Sequence, residues 1–256
     1  MPIFPHLLSV AALATGLGAN GQIEAVRRAQ GLLERHVWTQ VIRIDNSNPS
    51  SRYPRVVDAL VFQLDAILWF YTPADGTQSL SLYRNRAEAD KLNLGPLLAA
   101  IDQGFTRWEV LPPAGGPLPG PARLPNGCFI ESIAILLRRL DRGAAVENPK
   151  LLSYYVTRPG GVRGHTVLQF THEGRIQIVD PDRPNRIIRI SHADANDPKG
   201  VADRIRGDVA RARHFSLGEF LDRAPAHFLA TLQPHASKND EQALPAQAGA
   251  PKPRRS

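Results

Sequence analysis

Residues 124–140 read LPNGCFIESIAILLRRL, and residues 164–181 read GHTVLQFTHEGRIQIVDP. The first stretch holds the chain's single cysteine, Cys128, just after Asn126 and Gly127 and ahead of an apolar run with helical spacing. A helix starting near Phe129 puts the sulfur at the positive end of the helix dipole. Free N–H groups and the dipole there favour the thiolate, the nucleophilic form. Taken alone, a cysteine beside Phe129, Ile130 and Ile133 reads as a small buried hydrophobe. The second stretch changes that reading. His165 follows Gly164 at the head of an alternating strand, a turn falls at Glu173 and Gly174, and the return strand ends at Asp180 before Pro181. The arms of such a hairpin lie side by side, so Asp180 can reach His165. Nucleophile, base and orienter are then all present. Cys128 attacks, His165 takes and returns the proton, and Asp180 fixes the ring. Asp182, beyond Pro181 and off the strand, ranks second to Asp180.

On these residues the segment from 126 to 181 resembles the core of the transglutaminase-like superfamily. Its matching pieces are NGCFIESIAILLRRL, then PKLLSYYV, GHTVLQF and GRIQIVDP. The resemblance implies an α+β fold of papain-like type, with the catalytic helix packed on an antiparallel sheet. It implies the triad Cys128, His165 and Asp180, acting on an amide or ester through an acyl-enzyme. A cysteine peptidase of the C39-like type is the close variant, and a binding module that retains the fold is the non-enzymatic one. Two features depart from the family. Thr166 and Val167 follow His165 where the family often has a tryptophan, and no glutamine stands a few residues before Cys128 to donate to an oxyanion. The backbone N–H of Cys128 and the side chain of Asn126 are the substitutes expected there.

Outward from the site, residues 111–125, LPPAGGPLPGPARLP, form a Pro/Gly-rich connector in which neither a helix nor a central strand can persist. It divides an N-terminal α/β region, 22–110, from the catalytic core, 111–233. In the first region a helix is expected over 23–36 and a strand over 37–44. Residues 55–71 read as one bent strand or two, followed by a TPADG turn and a strand over 77–83. A helix is expected over 86–102, interrupted or restarted at Gly95-Pro96. In the second region, strands are expected over 151–156, 165–170, 175–179 and 186–190, and helices over 198–213 and 217–223. Residues 234–256, rich in Ala, Pro and Gln, read as a disordered tail.

The N-terminal residues 1–21 read as a signal peptide. Residues 7–19 are uncharged and mostly apolar, too short for the roughly 20 needed to span a bilayer. Ala19-Asn20-Gly21 suits a signal peptidase, although no Lys or Arg precedes the apolar stretch. The expectation is a secreted or periplasmic protein with no membrane span and a protein or peptide substrate. A lone cysteine excludes an intramolecular disulfide and any multi-cysteine metal cluster. No phosphate loop, nucleotide fingerprint or paired metal-ligand motif is present, so no cofactor is expected. The net charge of +7 favours acidic partners. The arginines at 183, 186, 189, 204, 206, 211 and 213 accompany no nucleic-acid motif, and nucleic-acid binding is disfavoured.

Overall fold

A computed structural model describes residues 19–64, 67–82, 94–113, 123–159, 161–191 and 195–217. The signal-like segment up to residue 18, residues 83–93 (the first part of the helix expected over 86–102), most of the Pro/Gly connector, residues 218–223 of the helix expected over 217–223, and the tail lie outside the described residues.

Among the described residues the chain is α+β, with two five-stranded antiparallel sheets. It begins with α1 (Ala19–Leu33). Four strands follow, β1 (Thr39–Asn46), β2 (Val56–Leu64), β3 (Ile67–Thr72) and β4 (Gly76–Leu82), then α2 (Leu94–Ile101) and β5 (Phe105–Val110). These strands form the first sheet, in the order β4-β3-β2-β1-β5. The second half opens with α3 (Cys128–Asp141) and continues through β6 (Glu147–Arg158), β7 (Gly161–His172), β8 (Arg175–Asp180) and β9 (Arg183–Ile190). It closes with α4 (Pro198–Arg206) and β10 (Val209–Ser216). Its sheet runs β10-β6-β7-β8-β9.

Strand alternation sends each sheet's two faces into different cores. Leu60, Phe62, Trp69 and Tyr71 of the first sheet face inward, while Val61, Leu68 and Phe70 pack outward with Leu94 and Leu98 of α2. In the second sheet Leu151, Leu168 and Phe170 face inward, while Leu152, Tyr154 and Val167 pack outward with Val201 and Ala202 of α4. The inward faces meet α1 and α3 in one continuous apolar cluster, from Val26, Ala29 and Leu33 to Ile130, Ile133 and Leu136. The regions expected at 22–110 and 111–233 therefore each carry one sheet and share one core. Trp69 of β3, Phe129 of α3 and Phe215 of β10 stack at centroid distances of 4.5 to 5.9 Å and join the halves directly.

One expectation is resolved to one of its alternatives, one strand is additional, and one helix is shorter than expected. Residues 55–71 make two strands, β2 and β3, paired antiparallel from Leu60↔Tyr71 to Leu64↔Ile67. Strand β5, FTRWEV, was not foreseen; it pairs with β1 at the sheet edge and is mostly exposed, so it lacks an apolar signature. The helix expected over 198–213 ends at Arg206. Gly207 has φ 67° and Asp208 has φ 50°, both left-handed, which stops the helix and turns the chain into β10. Asp203 fixes that turn by accepting the Val209 N–H at 2.8 Å.

Candidate active site

Cys128 is the first residue of α3, and Gly127 is its N-cap. The helix starts there because residues 124–127 form a tight turn. Gly127 N–H donates to the Leu124 carbonyl at 3.1 Å, and Glu131 N–H donates to the Gly127 carbonyl at 2.9 Å. Asn126 adopts φ 52°, a left-handed conformation that asparagine tolerates better than most residues. The glycine at 127 answers a contact with the turn itself. A Cβ there would stand 2.2 Å from Leu124 Cβ. Glu131, one turn into α3, accepts the Leu124 N–H at 2.9 Å and braces the turn from the other side. No side chain caps the N-terminus of α3, so its first N–H groups stay open beside the sulfur.

His165 and Asp180 come from neighbouring strands. The β7–β8 register pairs Leu168 with Val179, so β7 continues past the end of β8. His165 sits on that extension, opposite Tyr154 of β6, and reaches back to the end of β8. Its Nε2 lies 2.8 Å from Asp180 Oδ1. Cys128, at the start of α3, is close enough for its charge to act on the same ring. With Nε2 engaged by Asp180, Nδ1 is the nitrogen left for sulfur. The side chains of His165 and Asp180 are 16% and 8% exposed, so a bound substrate displaces little water from them.

The charges here are strongly coupled. Burial works to lower the His165 pKa, but the hydrogen bonds and charges of Asp180 and Cys128 outweigh it and lift the group to about 9. Burial works to raise the Asp180 carboxyl, yet His165, the Asp182 N–H and Arg206 bring it below the ordinary carboxylate value. At neutral pH the pair is an imidazolium facing a carboxylate.

A polar frame surrounds the pair. The Asp182 N–H donates to Asp180 Oδ1 at 2.9 Å, and Arg206 donates to Asp180 Oδ2 at 3.2 Å. Arg206 also donates from Nε to the Tyr154 hydroxyl at 3.3 Å, and the Tyr154 ring meets His165 edge-on at 5.6 Å. Arg123 bridges Glu131 of α3 at 2.9 Å and Asp182 at 2.5 Å, tying the cysteine turn to the end of β8. His165, Asp180 and Asp182 offer ligand atoms within 4.8 Å of one another. Their carboxylates already hold Arg206 and Arg123, which is the wrong environment for a cation.

The structure thus brings Cys128, His165 and Asp180 together. It places Asp182 beside them, ion-paired to Arg123 rather than hydrogen-bonded to the imidazole. The oxyanion role expected of Asn126 does not fit. Its amide nitrogen donates instead to the carbonyls of Pro73 at 2.8 Å and Ala74 at 3.2 Å, in the β3–β4 turn, which engages both its N–H groups. Asn126 is a tether between the sheets, aided by the Tyr71 hydroxyl, which donates to the Pro125 carbonyl at 2.8 Å. Sequence reasoning missed the roles of Arg206, Tyr154 and Arg123. Arg206 stands in the sequence only among arginines with no nucleic-acid motif, Arg123 and Tyr154 carry no local signal, and only the turn at Gly207 could flag that Arg206 ends its helix against β8.

The chain matches no protein-family model, no curated protein and no solved structure. No helix of the described residues is long and apolar enough to cross a membrane.

Proposed function

We propose that this chain is a thiol enzyme of the transglutaminase-like type, cleaving or transferring the acyl group of an amide or ester. One observation supports the reading: the chain's only cysteine opens helix α3 and acts electrostatically on His165, whose ring is hydrogen-bonded to the buried Asp180 carboxylate. The order of helix, strand, histidine strand and aspartate strand in α3, β6, β7 and β8 supports it, because it is the order on which the resemblance rests.

The Cys128 thiolate attacks the acyl carbon, and the carbonyl electron pair moves to oxygen. The first N–H groups of α3, that of Cys128 included, are the donors available to that oxyanion. The C–N or C–O bond then breaks, and His165 gives its proton to the departing amine or alcohol. Water or a second amine attacks the resulting thioester, with His165 taking its proton. Cys128 leaves as thiolate. Asp180 keeps the ring oriented through both halves. We also propose that the chain is exported, which N-terminal sequencing of protein from its host would test. An intact Met1 or Pro2 would refute it.

The test of the enzyme reading is incubation with an activated ester, p-nitrophenyl acetate, followed by peptide mass mapping. The expected result is one acetyl group on Cys128 that hydroxylamine or a primary amine removes, absent from Cys128→Ala. Acetylation confined to lysines, and equal in both proteins, would refute the reading.

A further inference from the structure

Resting on the thiol-enzyme reading above, we propose that Arg206 is a positioning residue: it clamps the Asp180 carboxylate and the Tyr154 hydroxyl together, and so sets the orientation of His165 toward Cys128. Asp180 has two oxygens, and each has its own task. Oδ1 takes the His165 ring and the Asp182 N–H, at 2.8 and 2.9 Å. Oδ2 takes Arg206 at 3.2 Å. With both oxygens held, the carboxylate cannot rotate away from the imidazole. The second arm of the clamp acts on the ring's flank. Arg206 Nε holds the Tyr154 hydroxyl, and Tyr154 stands edge-on to His165, its partner across the β6–β7 ladder.

The guanidinium is itself delivered with little freedom. Arg206 is the last residue of α4, whose start is capped by Asp197 accepting from Lys199 N–H. Its end is fixed by Gly207 N–H donating to Asp203 O at 2.7 Å, and Val201 and Ala202 bury the helix against the sheet. A planar fork of donors suits two acceptors at once, which an ammonium does less well. Among the described residues, the charged or titratable groups around Asp180 are His165 from β7, Arg206 from α4, Tyr154 from β6, Asp182 from the β8–β9 turn, Arg183 paired across from it on β9, and Cys128 from α3 on the ring's side. Arg206 is the cation among them in contact with the carboxylate. Its removal raises the pH at which Asp180 protonates and loosens the imidazole.

The chain has one cysteine, so alkylation by iodoacetamide reports on Cys128 alone and needs no substrate. The experiment measures its rate against pH for wild type, Arg206→Met and Arg206→Lys, with melting temperatures alongside. The expected result is an acid limb displaced to higher pH in Arg206→Met, with the rate at pH 6 down about tenfold, the scale of one lost hydrogen bond to a charged group. Arg206→Lys keeps the charge and recovers part of the loss at an unchanged melting temperature. A profile for Arg206→Met that overlays wild type would overturn the proposal. So would equal losses in both variants that track only their melting temperatures. A wild-type thiol that reacts only near the ordinary cysteine pKa of about 8.5 would overturn the enzyme reading as well, which separates the two failures.

Discussion

His165 Nε2 and Asp180 Oδ1 lie 2.8 Å apart although 15 residues separate them in sequence, because β7 outruns β8 at the open end of their hairpin. The overhang leaves one edge of β7 unpaired by β8 where His165 stands, and the cysteine turn occupies that neighbourhood. The histidine therefore has a carboxylate on Nε2, while the charge of Cys128 acts on the same ring.

The pH dependence of stability follows from the His165 shift. Its folded pKa of about 9 lies above the ordinary 6.5, so the protonated ring favours the folded state. That contribution is complete below pH 6.5 and is lost as pH rises toward 9. Asp180 works in the opposite sense: its lowered pKa contributes above the ordinary carboxylate value and is lost in acid. Melting temperatures of wild type and His165→Gln should differ most near pH 6 and converge by pH 9.5. A constant difference across that range would contradict the assigned charge pair.

Asn126→Gly should leave Cys128 chemistry nearly intact. Glycine accepts the φ of 52° without strain, and the lost hydrogen bonds run to Pro73 and Ala74 rather than to the substrate side. A stability loss of about 1 kcal/mol with acylation within a few fold of wild type is expected. A fall in acylation of about a hundredfold or more would restore Asn126 to the oxyanion role.

Gly127→Ala tests the turn that aims the sulfur. A Cβ at 2.2 Å from Leu124 Cβ forces the turn open, at a cost of about 1–3 kcal/mol. Since Cys128 is the next residue, slower alkylation should accompany the lower denaturation midpoint. Wild-type values for both would show that the turn relaxes freely.

The shared core implies joint unfolding. Trp69 from the first sheet and Phe129 from the second half stack at 4.5 Å inside one apolar cluster. Trp69→Ala should cost about 3–5 kcal/mol and lower a single cooperative transition monitored by both far-ultraviolet dichroism and tyrosine fluorescence. Two separated transitions would mean that the sheets are independent domains.

The α+β class and the pairing of His165 with Asp180 were legible because they lie where local signals are strong. Cys128 follows an Asn-Gly turn and leads an apolar helix, and His165 and Asp180 bound a hairpin closed by Glu173-Gly174. What surrounds them was not legible, since it depends on tertiary placement. Arg206 looks like any other helical arginine until β8 is set beside it. The alternation in VARARHFS, residues 209–216, suits a helix or a strand, and the outcome is decided by left-handed backbone at Gly207 and Asp208. Strand β5 is legible only through its partner β1, because an exposed edge carries little apolar pattern. Asn126 was assigned by proximity in sequence to Cys128, whereas its partners at Pro73 and Ala74 lie in the β3–β4 turn.

The most direct measurement of the central claim is the alkylation rate of Cys128 from pH 5 to 10 in wild type and in His165→Gln. If the thiol is paired with the imidazolium, wild type reacts readily at pH 6, while His165→Gln becomes reactive only near the ordinary cysteine pKa of about 8.5. Two superimposable profiles, both rising near pH 8.5, would show that Cys128 is an ordinary thiol beside a histidine it does not use.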